Sequence, residues 1–205
     1  MKERTGIILL VILYGVGIAS LMVNDLRSVV LPLSPYTLLL SFLILMTSFR
    51  WKTPLVWVAL LVFILGFGAE WIGVHKGWLF GSYSYGVNLG PKIAGVPFII
   101  GINWAMLTVV TGAIATAFIK RPWAIIVVAA LLMTGLDYLM EPVAVENGYW
   151  FWKGGRIPVF NYVCWFLVAL LAQGINMGIS KAKANNTTWV LFFLLLLFFL
   201  IQFFF

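Results

Sequence analysis

The chain has 205 residues, 63% of them hydrophobic and 9% charged, with a formal net charge of +7. Soluble domains carry about 25% charged residues, so this composition leaves no room for a separate soluble domain and describes a polytopic membrane protein. The positive charge does not imply nucleic acid, because Lys and Arg sit mostly in pairs between apolar runs, as topology-setting loop charges do. The lone Cys164 rules out an intrachain disulfide and a multi-cysteine metal site.

Lys2 and Arg4 precede an apolar run over residues 6–23. That run is long for a signal peptide, and Ile18-Ala19-Ser20 is a weak cleavage site, so an uncleaved first span is expected. After the polar turn Asn24-Asp25-Leu26-Arg27, a second span runs to residue 49 and is closed by Arg50-Trp51-Lys52. The third covers residues 54–73, with Glu70 in its last turn, and is followed by a loop over residues 74–94 holding Trp78, Phe80, Tyr83, Tyr85 and Asn88. The fourth, residues 95–119, carries Asn103 and Trp104. Beyond the turn Lys120-Arg121-Pro122, the fifth span runs to about residue 140 and ends Asp137-Tyr138-Leu139-Met140-Glu141. Pro142 makes Glu141 a helix end, because the residue before proline disfavours helical backbone. The sixth span, residues 158–179, holds Asn161 and Trp165. The last, residues 189–205, is apolar all round except Gln202, which suits a lipid-facing helix rather than a site wall. The expected fold class is all-α, a helical membrane bundle of about seven spans.

The loop after the third span has an echo about seventy residues later. Glu70 matches Glu141, Val74 matches Val145, Gly77 matches Gly148, Trp78 matches Tyr149 and Phe80 matches Phe151. After a shorter loop, Pro97 matches Pro158 and Trp104 matches Trp165. Such self-similarity implies two copies of one unit, span–acidic loop–span, facing a shared site. The units are residues 54–119 and 122–180, with peripheral spans at 5–49 and 188–205, all in one integral membrane domain, 1–205.

Seven spans put the chain ends on opposite sides. With the N-terminus in the cytoplasm, eight Lys and Arg residues lie on the cytoplasmic side and five on the other, which favours that orientation in a cell (inner) membrane. Both acidic loops, with Glu70, Asp137 and Glu141, then share the outer side.

Those three acids are half of the six in the chain, and each needs a reason to lie in or beside a span. An ionisable group at membrane depth usually faces the bundle interior. Asp137 and Glu141, four residues apart, share one helix face. A carboxyl group held out of water favours its neutral acid, and clustered carboxyls resist joint ionisation, so the set is a source of protons near neutral pH. The bland alternative pairs Glu70 and Glu141 with Lys76, Lys92, Lys153 or Arg156 at the interface. Asn103 and Asn161 can orient a water or a carboxyl, or bridge helices. Most of the tryptophans near the acids fit an aromatic belt, while a few can stack on a cation or polyene. His75 has no second histidine and no cysteine cluster beside it, so no metal site is expected.

At Glu70–Tyr85, Leu89-Gly90-Pro91, Gly95-Val96-Pro97 and Asp137–Pro142 the chain resembles the membrane carotenoid hydratases of the CruF-like type, over about residues 54–178. More distantly it is similar to membrane lycopene cyclases of the heterodimeric or fused type. The resemblance implies addition of water to the end group of an acyclic, lycopene-like carotenoid in a bacterial or archaeal membrane. Protonation of the terminal isopropylidene double bond gives a tertiary carbocation, water adds, and a base takes the surplus proton. This chemistry requires no cofactor and no metal. Placed on these motifs, the donor is Glu141 or Asp137 and the base Glu70, with the roles open to exchange. Trp104 and Trp78 stabilise the cation, Asn103 holds the water, and Tyr83, Tyr85, Asn161 and Trp165 complete the substrate site. A cyclase shares the first step but traps the cation with an internal double bond. A proton-linked carrier needs polar residues running on to the other face, where the middle spans offer a thin set that includes Thr108, Thr111, Thr116 and Gln173. A retinal protein needs a lysine inside a late span, and residues 189–205 hold none.

Overall fold

The computed structural model describes residues 3–204; Lys2 of the charge tally, the side chain of Asn24 and Phe205 of the expected last span lie outside the described residues. The helices are α1 (Glu3–Leu21), α2 (Asn24–Val30), α3 (Ser34–Ser48), α4 (Thr53–Lys76), α5 (Phe98–Phe118), α6 (Pro122–Glu146), α7 (Val159–Ile179) and α8 (Asn186–Phe204). Among the described residues seven helical segments are long and apolar enough to cross a membrane, with α2, a short 3-10 turn (Leu31–Leu33) and α3 together making one of them. The expected all-α membrane bundle is therefore observed.

Helix α5 is the spine. It packs against α3, α4, α6, α7 and α8, and nearly all of its length is buried. Its small residues, among them Gly101, Ala105, Gly112 and Ala113, let neighbouring helices approach closely. Helices α1 and α8 pack on each other at one flank.

Short strands form on the face where α4 passes to α5 and α6 to α7. Strand β1 (Tyr83–Tyr85) pairs antiparallel with a strand of the second loop, Trp150–Trp152, and places Tyr83 opposite Trp152 and Tyr85 opposite Trp150. Between them in sequence lies the hairpin of β2 (Lys92–Ile93) and β3 (Val96–Pro97). Its two turn residues, Ala94 and Gly95, have φ of 48° and 79°, the backbone that a tight two-residue hairpin requires. The Trp150–Trp152 strand is β4.

Two expected helix ends are corrected. Helix α4 continues to Lys76 and stops at Gly77, whose φ of 64° closes the last turn. Helix α6 runs through Pro142 to Glu146 and stops at Asn147, whose amide caps the Val143 carbonyl at 2.8 Å. Pro142 removes one hydrogen bond, to the carbonyl four residues back, which a spanning helix packed among neighbours tolerates. At 1.5 Å per residue, Glu70 lies about 9 Å and Asp137 roughly 13 Å inside the ends of their helices. The acids are deeper than their motifs suggest.

Candidate active site

Glu70 on α4 and Glu141 on α6 are buried, and neither forms a salt bridge with a lysine or arginine among the described residues. The salt bridge found among the described residues joins Arg27 to Glu146 at 2.9 Å, so the interfacial pairing of Glu70 and Glu141 is not what the fold adopts. Neutral donors satisfy them instead. Tyr83 and Tyr85 both donate their hydroxyls to Glu70 Oε2, the second at 2.8 Å, and Trp104 donates Nε1–H to Glu70 Oε1 at 3.0 Å. Trp150 and Trp152 donate to Glu141 Oε2 at 2.9 and 2.8 Å. Side chains two apart on a strand point the same way, so β1 and β4 each present a pair of donors to one carboxyl group.

Asn161, near the start of α7, uses both hydrogens of its amide. One goes to Asp137 Oδ2 at 3.0 Å and the other to Glu141 Oε1 at 3.1 Å. This ties the two acids of α6 together through the neighbouring helix. Asp137 is 0% exposed, and its other oxygen, Oδ1, has no hydrogen-bond partner among the described residues. Buried polar atoms nearly always find a partner, so such an orphan is a marked feature.

The phenols of Tyr83 and Tyr85 lie outside the spans. Burial first, and then the neighbouring Glu70 charge, pushes both above the ordinary tyrosine value. They therefore remain donors well into alkaline solution.

The three acids border a cavity of about 120 Å³. Phe80, Tyr83, Tyr85, Asn103, Asn161 and Trp165 line it on the acidic side. Trp165 stacks on Trp104 with centroids 4.0 Å apart and planes 16° from parallel. Trp104, 0% exposed, makes room for itself through Gly66, where any Cβ would overlap the indole.

Trp78 is corrected. It follows the left-handed Gly77, is 72% exposed and does not line the cavity. Phe80 takes the inner place, 6.4 Å from both Trp104 and Trp165. Trp104 is also repositioned: it stands behind Trp165 and serves as a donor to Glu70. The last span is corrected too, since Leu195, Phe198 and Phe199 of α8 form cavity wall with Leu13 and Tyr14 of α1. Trp150 and Trp152 were not expected in the site. Their alternation, Trp-Phe-Trp, was the available signal, masked by the expectation of an aromatic belt.

The chain belongs to the carotenoid biosynthesis protein family, whose model matches residues 9–205. The family expectation from the motifs is thereby borne out. A similar protein is the bisanhydrobacterioruberin hydratase of Haloarcula japonica, 28% identical over 117 residues, which cover 53% of this chain and 40% of that one. The match thus spans less than half the length of that relative. No solved structure matches.

Proposed function

We propose that this member of the carotenoid biosynthesis family is a hydratase, adding water to the terminal isopropylidene double bond of an acyclic, lycopene-like carotenoid. The observation that carries the reading is Asp137 Oδ1, a buried carboxyl oxygen with no partner, on a residue bordering the cavity. A proton on that oxygen is held by no protein acceptor and is free to go to an alkene. The name of the Haloarcula relative supports hydration as the type of reaction.

Asp137 gives its proton to the CH carbon of the double bond, whose π electrons form the new C–H bond. A tertiary cation remains at the dimethyl carbon. Glu70 and Glu141, each fixed by three hydrogen bonds, supply negative charge that needs no reorganisation as the cation forms. The faces of Trp165 and Phe80 attract it as well. A water held by Asn103 bonds through oxygen to the cation and loses one proton to Glu70. That proton returns through water to Asp137, so the net change is one H2O added and no redox step occurs.

We read residues 54–119 and 122–180 as one unit used twice, with divided labour. In each half a carboxyl group takes two hydrogen bonds from alternate residues of a strand and one from the following span. The halves differ one turn earlier: Glu141 is preceded by Asp137, Glu70 by Gly66. One half thus carries the acid, and the other carries a base beside an indole. With the N-terminus cytoplasmic, this site faces the outer side of the membrane.

Expression of the chain in a lycopene-making host tests the reading. A pigment heavier by one water is expected. An isomer of unchanged mass would mean a cyclase, and unchanged lycopene would refute both.

A further inference from the structure

Hydration in an apolar cavity raises the question of where the water comes from. We propose that a row of hydroxyl groups on α3, completed by Tyr149 and Tyr14, conducts water along the wall away from the acid-bearing helices to the place where Asn103 holds it. The inference rests on the hydratase reading. Ser34, Thr37 and Ser41 fall at helical spacing on one face of α3. Ser34 and Thr37 line the same cavity as the three acids, as do Tyr149 and Tyr14. Nothing in the protonation step employs them.

The hydrogen count leaves capacity for water. Ser34 and Tyr149 hydrogen-bond to each other, which uses one of their two hydroxyl protons and leaves the other free. Ser41 donates to the Thr37 carbonyl at 2.8 Å, and Tyr14 lies 3.3 Å from Ser41 Oγ, so the Tyr14 proton is free for Ser41 or for a ligand in the cavity. Thr37 Oγ1 is held only by a long 3.4 Å contact to the Leu33 carbonyl. A water needs two to four polar partners, and this row offers them in steps from the strand-bearing end of α3 into the bundle.

The row also has a mouth. A second pocket, lined by Arg27, Glu146, Asn147 and Gln202, lies at that end of the bundle and shares Leu21 with the main cavity. Glu146 there is 64% exposed to solvent and bonded to Arg27. Asn147 is two residues from Tyr149 and accepts from Arg27 Nε at 3.0 Å. This vestibule and the main cavity meet at Leu21, and Tyr149 of the cavity follows Asn147 of the vestibule by two residues.

The row predicts a change in the fate of the cation. A cation with no water nearby gives up a hydrogen and reforms the alkene. In heavy water, loss of the hydrogen the CH carbon already held, in place of the deuteron just delivered, leaves deuterium in the recovered substrate. Membranes holding the full chain are supplied with lycopene in heavy water, and both alcohol formed and deuterium in recovered lycopene are measured. Ser34→Ala with Thr37→Val is expected to lower the ratio of alcohol to exchange by tenfold or more, and Tyr149→Phe by a lesser factor in the same direction. Thr37→Ser with Ser34 intact should restore the ratio. The ratio does not depend on the amount of folded protein. If it stays at the parental value in the double variant and in Tyr149→Phe, the row does not supply water. If the parent itself neither hydrates nor exchanges, it is the hydratase reading that fails.

Discussion

Replacing Gly66 by alanine tests whether the Trp104 indole holds Glu70 in place. Gly66 lies one turn before Glu70, and a Cβ there would stand 2.6 Å from Trp104 Cβ and Cδ1. Carbon atoms rest at about 3.5–4.0 Å, so the indole must retreat by roughly 1 Å. It has nowhere to go freely, being 0% exposed and stacked at 4.0 Å on Trp165. Overpacking of this kind costs about 1–3 kcal/mol, and for a chain of this size each kcal/mol lowers the melting midpoint by about 2–4 °C. The same movement strains the 3.0 Å bond from Nε1–H to Glu70. A catalytic group displaced by ~1 Å loses on the order of 100-fold in rate. We expect Gly66→Ala to hydrate lycopene about 100-fold more slowly in isolated membranes. Gly68→Ala, two residues along the same helix with nothing within 4 Å of its Cβ, is the control. It should keep the parental rate and gain up to about 1 kcal/mol in stability. If Gly66→Ala hydrates as fast as Gly68→Ala, the indole does not position the carboxylate.

Asp137→Asn keeps the shape but removes the acid, and hydration should fall by about 100- to 10,000-fold; measurable deuterium exchange into lycopene by this variant would dismiss Asp137 as the donor. Trp150→Phe with Trp152→Phe takes two N–H donors from Glu141, each bond to a charged group being worth about 1.5–3 kcal/mol. The pair should lower both the rate and the melting midpoint, and a parental rate would show that β4 does not organise the site. Tyr83 and Tyr85 have folded values above the ordinary one, so their contribution to stability is complete below about pH 10, where a free phenol titrates, and is lost as pH rises beyond it. An ultraviolet titration should show both phenols un-ionised while the protein stays folded; their ionisation at the ordinary pH would contradict the burial of Glu70's partners.

Much of this was legible in the sequence because water and lipid leave different signatures. Spans declare themselves by hydropathy, and six acids among 205 residues single themselves out. The four-residue step from Asp137 to Glu141 put both on one face, and Asn161 could be named as a carboxyl partner. What was hidden had no polarity to show it. The cavity walls on α1 and α8 are apolar, so α8 reads as lipid-facing. Trp78 and Phe80 are indistinguishable by composition; the left-handed turn at Gly77 decides which ring goes inward. Pro142 gave a wrong helix end because local backbone preference yields to packing in a bundle.

The polar residues deeper in the bundle bear on the carrier alternative. Gln173 Nε2 donates to the Thr108 carbonyl at 3.1 Å and to Thr111 Oγ1 at 2.9 Å. Asn176 Nδ2 donates to the Gln173 amide oxygen at 3.3 Å, and Ser180 donates to the Asn176 oxygen at 2.5 Å. Gly112 of α5 makes the approach possible, since a Cβ there would meet Gln173 Oε1 at 2.6 Å. These groups satisfy one another across α5 and α7, which is how polar side chains join helices in a membrane. A proton path needs groups with unused capacity that lead on from the acids; a closed set offers a moving proton no acceptor. Gln173→Leu should therefore weaken the bundle, at about 0.6–2 kcal/mol for each interhelical bond lost, and leave alcohol formation and deuterium exchange per folded protein unchanged. A joint fall in both without loss of stability would mean that protons reach the acids from below, and that the deeper network belongs to the chemistry.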